Sequence, residues 1–307
     1  MASFSSSFGT LNLSDFGDGD TLDISKPDST HVRFTLGTAL GDVWSGVDGS
    51  PNGVTGAGLN VLTLDTTNFA GTLVEVYSGP AETVTVHGPT DTSLYPFSLT
   101  LVTRNDIRFA GSVSNFDGFV ALNAQQGDIV IDGPLLTRGD MQIIAGDFAS
   151  TGGTITVNAD LRTTSQFPSS SEISLKARGD VIVNSTIATG DVSAFNDVDT
   201  VTSGIIVIQS TAGSLLGNAS GHLSTGDVNG NDRSSSGFVN INVVGEVRMT
   251  GNNAIMTGSG EAGGKANTGD ISIYDATRVS SDGGTGKLSL SVGGNVDEYS
   301  CGVLKLG

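Results

Sequence analysis

The feature that most constrains this chain is a short alternation of apolar and polar residues, repeated many times and never sustained. Runs such as Phe119-Val-Ala-Leu-Asn-Ala, Asp128-Ile-Val-Ile-Asp, Thr154-Ile-Thr-Val-Asn, Glu172-Ile-Ser-Leu-Lys-Ala and Asp270-Ile-Ser-Ile-Tyr are each bounded by Gly, Asp, Asn or Ser. A period of two sends alternate side chains to opposite faces of a strand. Helical periodicity is almost absent. Strands this short cannot each build a core, so they must stack.

The spacing of the runs gives the stack a repeat. Candidate rungs begin near Leu99, Phe119, Met141, Glu172, Ile205, Phe238, Asp270 and Lys287, at steps that range from 17 to 33 residues. The shorter steps suit one turn of a β-helix, and those near 32 suit the same turn carrying an insertion of about a dozen residues. Three polar tracts supply the insertions, beginning Thr189-Gly-Asp-Val, Thr225-Gly-Asp-Val and Thr257-Gly-Ser-Gly. Each precedes an apolar strand at the same point of its unit, which predicts surface loops on one face of a solenoid. Gly-Asp or Gly-Glu pairs at 127–128, 139–140, 179–180, 245–246 and 269–270 directly precede strands. Glycine there supplies the positive φ of a sharp corner, and the acid caps the corner through backbone N–H groups.

Residues 1–105 read as an irregular β-rich region, either early rungs of the same solenoid or a small separate unit, and residues 106–307 as the β-helix repeats. Strand candidates in the first part include Thr21-Leu-Asp-Ile-Ser, Val32-Arg-Phe-Thr-Leu and Glu82-Thr-Val-Thr-Val. The expected fold is therefore all-β, a right-handed parallel β-helix with an irregular start.

Charge narrows the partners. Asp and Glu number 32 against 14 Lys and Arg, a formal charge of -18, which excludes nucleic acid and anionic lipid as natural partners. Charged residues are only 15% of the chain while glycine counts 44, a balance that suits a folded repeat array better than a disordered one. The single cysteine, Cys301, allows no internal disulfide and no thiolate metal site. The first residues lack the basic and apolar regions of a signal peptide, and no stretch has the roughly 18 apolar residues of a membrane span. Together with the strand-like ending Gly302-Val-Leu-Lys-Leu-Gly307, this reads as an excised segment of something larger.

At residues 237–273 the pattern becomes specific. Gly237-Phe-Val-Asn-Ile-Asn-Val-Val-Gly-Glu-Val-Arg-Met-Thr-Gly, ending in Asn267-Thr-Gly-Asp-Ile-Ser-Ile, resembles the large haemagglutinin-like bacterial exoproteins, the filamentous-haemagglutinin-type adhesins. The resemblance extends over about residues 99–295. It implies a β-helical shaft at a cell surface or outside the cell. The secretion domain that opens such adhesins is not evident, and Ser50-Pro-Asn-Gly-Val54 only echoes its signature.

Chemistry is sparse. β-Helical pectin lyases and polygalacturonases need paired carboxylates, or calcium with a basic residue. Asp128, Asp132 and Asp140 supply acids that adjacent rungs can bring to one face, but basic residues are scarce and Gly221-His222-Leu223 does not match the polygalacturonase Gly-His-Gly. His31, His87 and His222 stand alone. Calcium is the plausible cation, with Asp18 and Asp20 in Gly17-Asp-Gly-Asp-Thr-Leu22, and Asp227 and Asp232 in Asp227-Val-Asn-Gly-Asn-Asp232, as candidate ligands. Two Arg-Gly-Asp triplets, Arg138-Gly139-Asp140 and Arg178-Gly179-Asp180, are receptor-binding candidates if displayed on loop tips. Isolated Thr-x-Thr pairs at Thr83 and Thr154 do not form the array that ice binding requires.

These observations favour a non-enzymatic extracellular module, structural and adhesive, whose partners are cell-surface glycans, matrix or identical subunits. A filament or surface-layer subunit stacking through open solenoid ends is the second expectation, and concentration-dependent filaments would reveal it. A polysaccharide lyase or hydrolase is the third, revealed by reducing ends or unsaturated uronides.

Overall fold

A computed structural model of the chain describes residues 2–299 apart from 8, 17–19, 38–42, 47–52, 70–72, 80–82, 88–94, 111–113, 148–151, 167–168, 194–199, 231–232, 251–253, 259, 263–264, 268, 275, 277, 281–289 and 292–295. Every regular element among them is a β-strand. From Ser98 onward the chain visits three sheets in a fixed order, coil after coil, and each strand pairs in parallel with its counterpart one coil away.

The first sheet contains Thr10–Ser14, Leu73–Gly79, Ser98–Thr103, Val120–Ala124, Met141–Ala145, Ile173–Ala177, Ile206–Ser210, Val239–Val243, Ile271–Tyr274 and Val296–Tyr299. Strands of three to five residues, such as Asp106–Ala110, Ile129–Ile131, Ile155–Val157, Val181–Val183 and Leu215–Gly217, form the second. Leu135–Thr137, Leu161–Thr163, Thr186–Ala188, His222–Ser224 and Ile255–Met256 form the third.

Register is constant, and that makes the core. In the first sheet Leu99, Val120, Met141, Ile173, Ile206, Val239 and Ile271 form one inward column, and Leu101, Leu122, Ile143, Leu175, Ile208, Ile241 and Ile273 the next. All are at most 2% exposed. The second sheet faces them with Ile107, Ile129, Ile155, Val181, Leu215 and Val247, the third with Leu135, Leu161, Ile187, Leu223 and Ile255. Each such side chain stabilises by about 1.5–3 kcal/mol relative to exposure. A single slip of register would turn every one of them to solvent, so the pattern fixes the pairing.

The first-sheet strands begin within one residue of seven of the eight expected rungs. Lys287 lies outside the described residues, and the next strand of the first sheet is Val296–Tyr299, paired with Ile271–Tyr274. The nearby pair Leu290–Ser291 belongs to the third sheet instead. Alternation marks a strand but does not say which of three faces it joins.

The start of the chain is built differently. Ser3–Ser7 pairs antiparallel with Thr10–Ser14, and Thr21–Ser25, His31–Gly37, Val61–Asp65 and Val54–Thr55 form an antiparallel set at the end of the second sheet. Trp44 is fully buried there, its Nε1–H donating to the Phe34 carbonyl at 3.1 Å and its ring edge-on to Phe16. Thr10–Ser14 and Thr21–Ser25 already pair in parallel with Leu73–Gly79 and Thr83–His87, which pair with the coils that follow. No sheet breaks at Asn105. The change of pairing falls before Leu73.

The insertions are strands rather than loops. Val192–Ser193, Val228–Gly230 and Gly260–Ala262 stack in parallel as one small sheet, and Thr200–Thr202, Arg233–Ser235 and Lys265–Asn267 as another lying against it. The second also takes in the hairpin Ser165–Gln166 and Ser169–Ser170. Together they make a narrow fin between the third and first sheets, with its own interior of Val192, Val201 and Val228. The polar composition that suggested loops reflects very short strands: Val192–Ser193 contributes one buried residue and Val228–Gly230 two.

Candidate functional site

The corners between sheets hold most of the candidate residues, and they work as joints. Asp106 Oδ1 accepts from the backbone N–H of Asp128, and Asp128 Oδ1 from that of Thr154, at 2.8 and 2.7 Å. Asp140 Oδ1 takes the Glu172 N–H at 2.9 Å, Asp180 Oδ1 the Ser214 N–H at 2.8 Å, and Ser214 Oγ the Glu246 N–H at 3.0 Å. Each acceptor caps the matching corner of the next coil rather than its own. An N–H left without a partner at such a corner would cost about 1–3 kcal/mol.

The corner glycines have a different cause from the expected positive φ. Gly127, Gly139, Gly179, Gly245 and Gly269 are absent from the described residues with positive φ. What they share is crowding. A Cβ on Gly245 would stand 2.7 Å from the Gly213 carbonyl oxygen, on Gly127 2.4 Å from the Asn105 carbonyl carbon, and on Gly269 closer still to the Gly237 oxygen. Coil backbones approach too closely for a side chain at four of the five; at Gly179 the nearest atoms, the Gly152 carbonyl oxygen and Thr154 Oγ1, would be 3.1 Å away.

Both Arg-Gly-Asp triplets lie at corners, but not at the same one. Arg138–Asp140 joins the third sheet to the first, whereas Arg178–Asp180 joins the first to the second. Arg138 pairs with Asp117, and Gly139 offers its carbonyl to the Thr137 hydroxyl at 2.7 Å. The Arg178 N–H donates to the Ala145 carbonyl.

Among the calcium candidates, Asp18 and Asp232 lie outside the described residues. Asp20 is buried just ahead of the strand Thr21–Ser25, and Asp227 is exposed at the base of the fin, its N–H donating to Asp191 Oδ1 at 2.8 Å. Among the described residues no group of three or more His, Cys, Asp or Glu side chains is placed to hold a metal ion. His31 and His87 instead pair with the carboxylates of Asp28 at 2.9 Å and Asp23 at 3.4 Å. Thr85 and Thr156 share a column on the second sheet, interrupted by Arg108 and Val130.

A row of hydroxyls, on buried Thr163, Thr189 and Thr225 and half-buried Thr257, ties down the fin. Thr163 Oγ1 donates to the Ser171 carbonyl, Thr189 Oγ1 to Gly204, Thr225 Oγ1 to Gly237 and Thr257 Oγ1 to Gly269, at 3.0–3.2 Å. In the coil without an insertion the same bond spans two residues, from Thr137 to Gly139; around the hairpin it spans eight, and around the later insertions 12–15. Thr189 and Thr225 also accept the N–H of Gly226 and Gly258. The inserted strands are thus clipped where they leave the column and where they rejoin it.

Two outer grooves lie among the described residues. One of about 330 Å³ crosses the second sheet over Ile182, Asn184, Leu216, Asn218 and Arg248. Beside it Asn184 Nδ2 donates to Asn158 Oδ1, and Asn158 Nδ2 to Asp132 Oδ1, at 2.8 Å each. Those bonds, with the Arg108 ion pair, hold the Asp132 carboxyl below the usual carboxylate range against the opposing effect of burial. The other, of about 360 Å³, opens on the first sheet beside Phe119, Asp140 and Glu172. Phe119 is 39% exposed. The signal for it was in the sequence, since Phe119 takes the polar parity of its alternating run.

Comparison with known proteins finds no matching family model, no matching curated protein and no matching solved structure.

Proposed function

We propose that this chain is a non-enzymatic extracellular module, structural and adhesive, whose right-handed parallel β-helix forms a shaft segment of a larger surface or secreted protein. Crossovers between parallel strands of one sheet are right-handed in about 98% of cases, and that supports the hand. The observation that carries the reading is the use of corner side chains. Acids that could serve catalysis, among them Asp128, Asp140 and Asp180, accept backbone N–H groups of the neighbouring coil. A rod jointed in this way holds its outer faces and its fin in fixed positions for a partner, and cell-surface glycans or matrix are the partners it suits.

Small-angle scattering combined with binding to immobilised glycan and matrix panels tests the reading. The expected result is an elongated particle that binds at least one of them and leaves acidic polysaccharides intact. A compact sphere, or release of unsaturated uronides or reducing ends, overturns it.

A further inference from the structure

One residue ahead of its leading inward column, the first sheet carries Phe119, Asp140, Glu172, Ile205 and Phe238 on successive coils. Ladder bonds fix the series: the Val120 N–H donates to the Asp140 carbonyl, Met141 to Glu172, Ile173 to Ile205 and Ile206 to Phe238, at 2.8–3.0 Å. Coils stack about 4.8 Å apart, so the two phenylalanines stand roughly 19 Å from each other on one line. Both are exposed, at 39% and 43%.

The groove at the upper end of this line contains two carboxylates and an aromatic wall. The neighbouring cations are engaged elsewhere, Arg138 with Asp117 and Lys176 with Asp147. Among the described residues no lysine or arginine forms an ion pair with Asp140 or Glu172. One oxygen of Asp140 is taken by the Glu172 N–H. Burial first, and the Asp140 charge second, push the Glu172 carboxyl up. Among the described residues, then, the two acids have no ion-pair partner. An ammonium group carried on an apolar frame answers both features, by ion pairing with the acids and by cation–π or face contact with Phe119.

We propose that this groove binds the amino sugars of a cationic glycan. The ammonium sits between Asp140 and Glu172, the ring lies against Phe119, and hydroxyls meet Gln142 and Ser174, which also line the groove. A volume of about 360 Å³ is in the range of small-ligand sites. The amide and hydroxyl beside the acids, and a second aromatic further along the same line, fit a chain of flat polar rings better than a flexible lysine side chain. This inference rests on the adhesive reading and gives it a ligand class.

The test is titration calorimetry with a glucosamine hexamer, its fully N-acetylated counterpart and a lysine hexapeptide, on the intact chain and on Glu172→Gln, Asp140→Asn and Phe119→Ser. Asparagine keeps an oxygen for the Glu172 N–H, so Asp140→Asn removes the charge and leaves the corner bond. Should one variant fail to fold, the others carry the test, with melting curves as the control. The free-amine hexamer binds, acetylation weakens it about tenfold or more, and each variant does likewise. Equal binding of the two sugars, variants that bind as the parent does, or tighter binding of the peptide through the same residues overturns the proposal. If neither hexamer binds while other glycans do, the groove assignment falls and the adhesive reading stands. If nothing on the glycan and matrix panels binds, both fall.

Discussion

From Thr186 to Asn267 two stacks of strands run side by side, the three-sheet column and the fin, and they reach order by different means. In the column a coil contributes three inward side chains from the first sheet, such as Val239, Ile241 and Val243, and more from the other two. In the fin a strand of two or three residues contributes Val192, Val201 or Val228, and next to them Gly230 and Ser234, whose buried Oγ has no hydrogen-bond partner. The column is thus held by apolar burial, and the fin by its neck of threonine hydroxyls and by backbone pairing with neighbouring coils. Stacking alone does not demand a hydrophobic core; it demands that each added strand find its partner's backbone already in place.

That contrast can be broken most sharply in the column. Ile241→Ala removes a fully buried side chain with neighbours above and below, and costs about 3–4 kcal/mol by denaturant unfolding. Thr225→Val leaves the Gly258 N–H without its partner at the neck and the Gly237 carbonyl with only the Ser236 hydroxyl at 3.4 Å; the expected loss is about 2 kcal/mol. Val201→Ala, inside the fin, costs about 1 kcal/mol. Its effect is local: hydrogen exchange quickens at 192–193, 200–202 and 228–230 while 206–210 stay protected. Equal loss of protection in both stacks would show that fin and column unfold as one unit. The smallest effect is electrostatic. The Glu172 carboxyl is raised, so the folded chain holds that proton more tightly than the unfolded chain. The associated stability is present in acid and is lost as the pH climbs past the raised value. Glu172→Gln should therefore melt slightly higher than the parent at neutral pH, and the difference should close on acidification.

The column was legible because its code is redundant. Alternation, Gly-Asp punctuation and regular spacing all point to Leu99, Met141, Ile173, Ile206, Val239 and Ile271 within a residue. The fin was illegible as structure, since Val192-Ser193 or Val228-Asn-Gly230 is too short to display any period. Corner glycines could be found but not explained from sequence, because the oxygen that forbids a side chain at Gly269 belongs to Gly237, thirty-two positions earlier. The groove was hidden for a related reason: Asp140 and Glu172 are neighbours only once two coils are laid together.

One property of the joints reaches beyond stability. Asp106 toward Asp128, Asp140 toward Glu172, Asp180 toward Ser214, Asp191 toward Asp227, Thr225 toward Gly258: in each the oxygen belongs to the earlier coil and the hydrogen to the later one. Slice the stack between any two of these layers and the two fresh surfaces are unlike at the corners, where one presents side-chain acceptors and the other backbone donors. A layer turned upside down would set oxygen against oxygen at those corners. The molecule thus possesses a compass, written in side chains, and matched surfaces can meet only with their needles aligned.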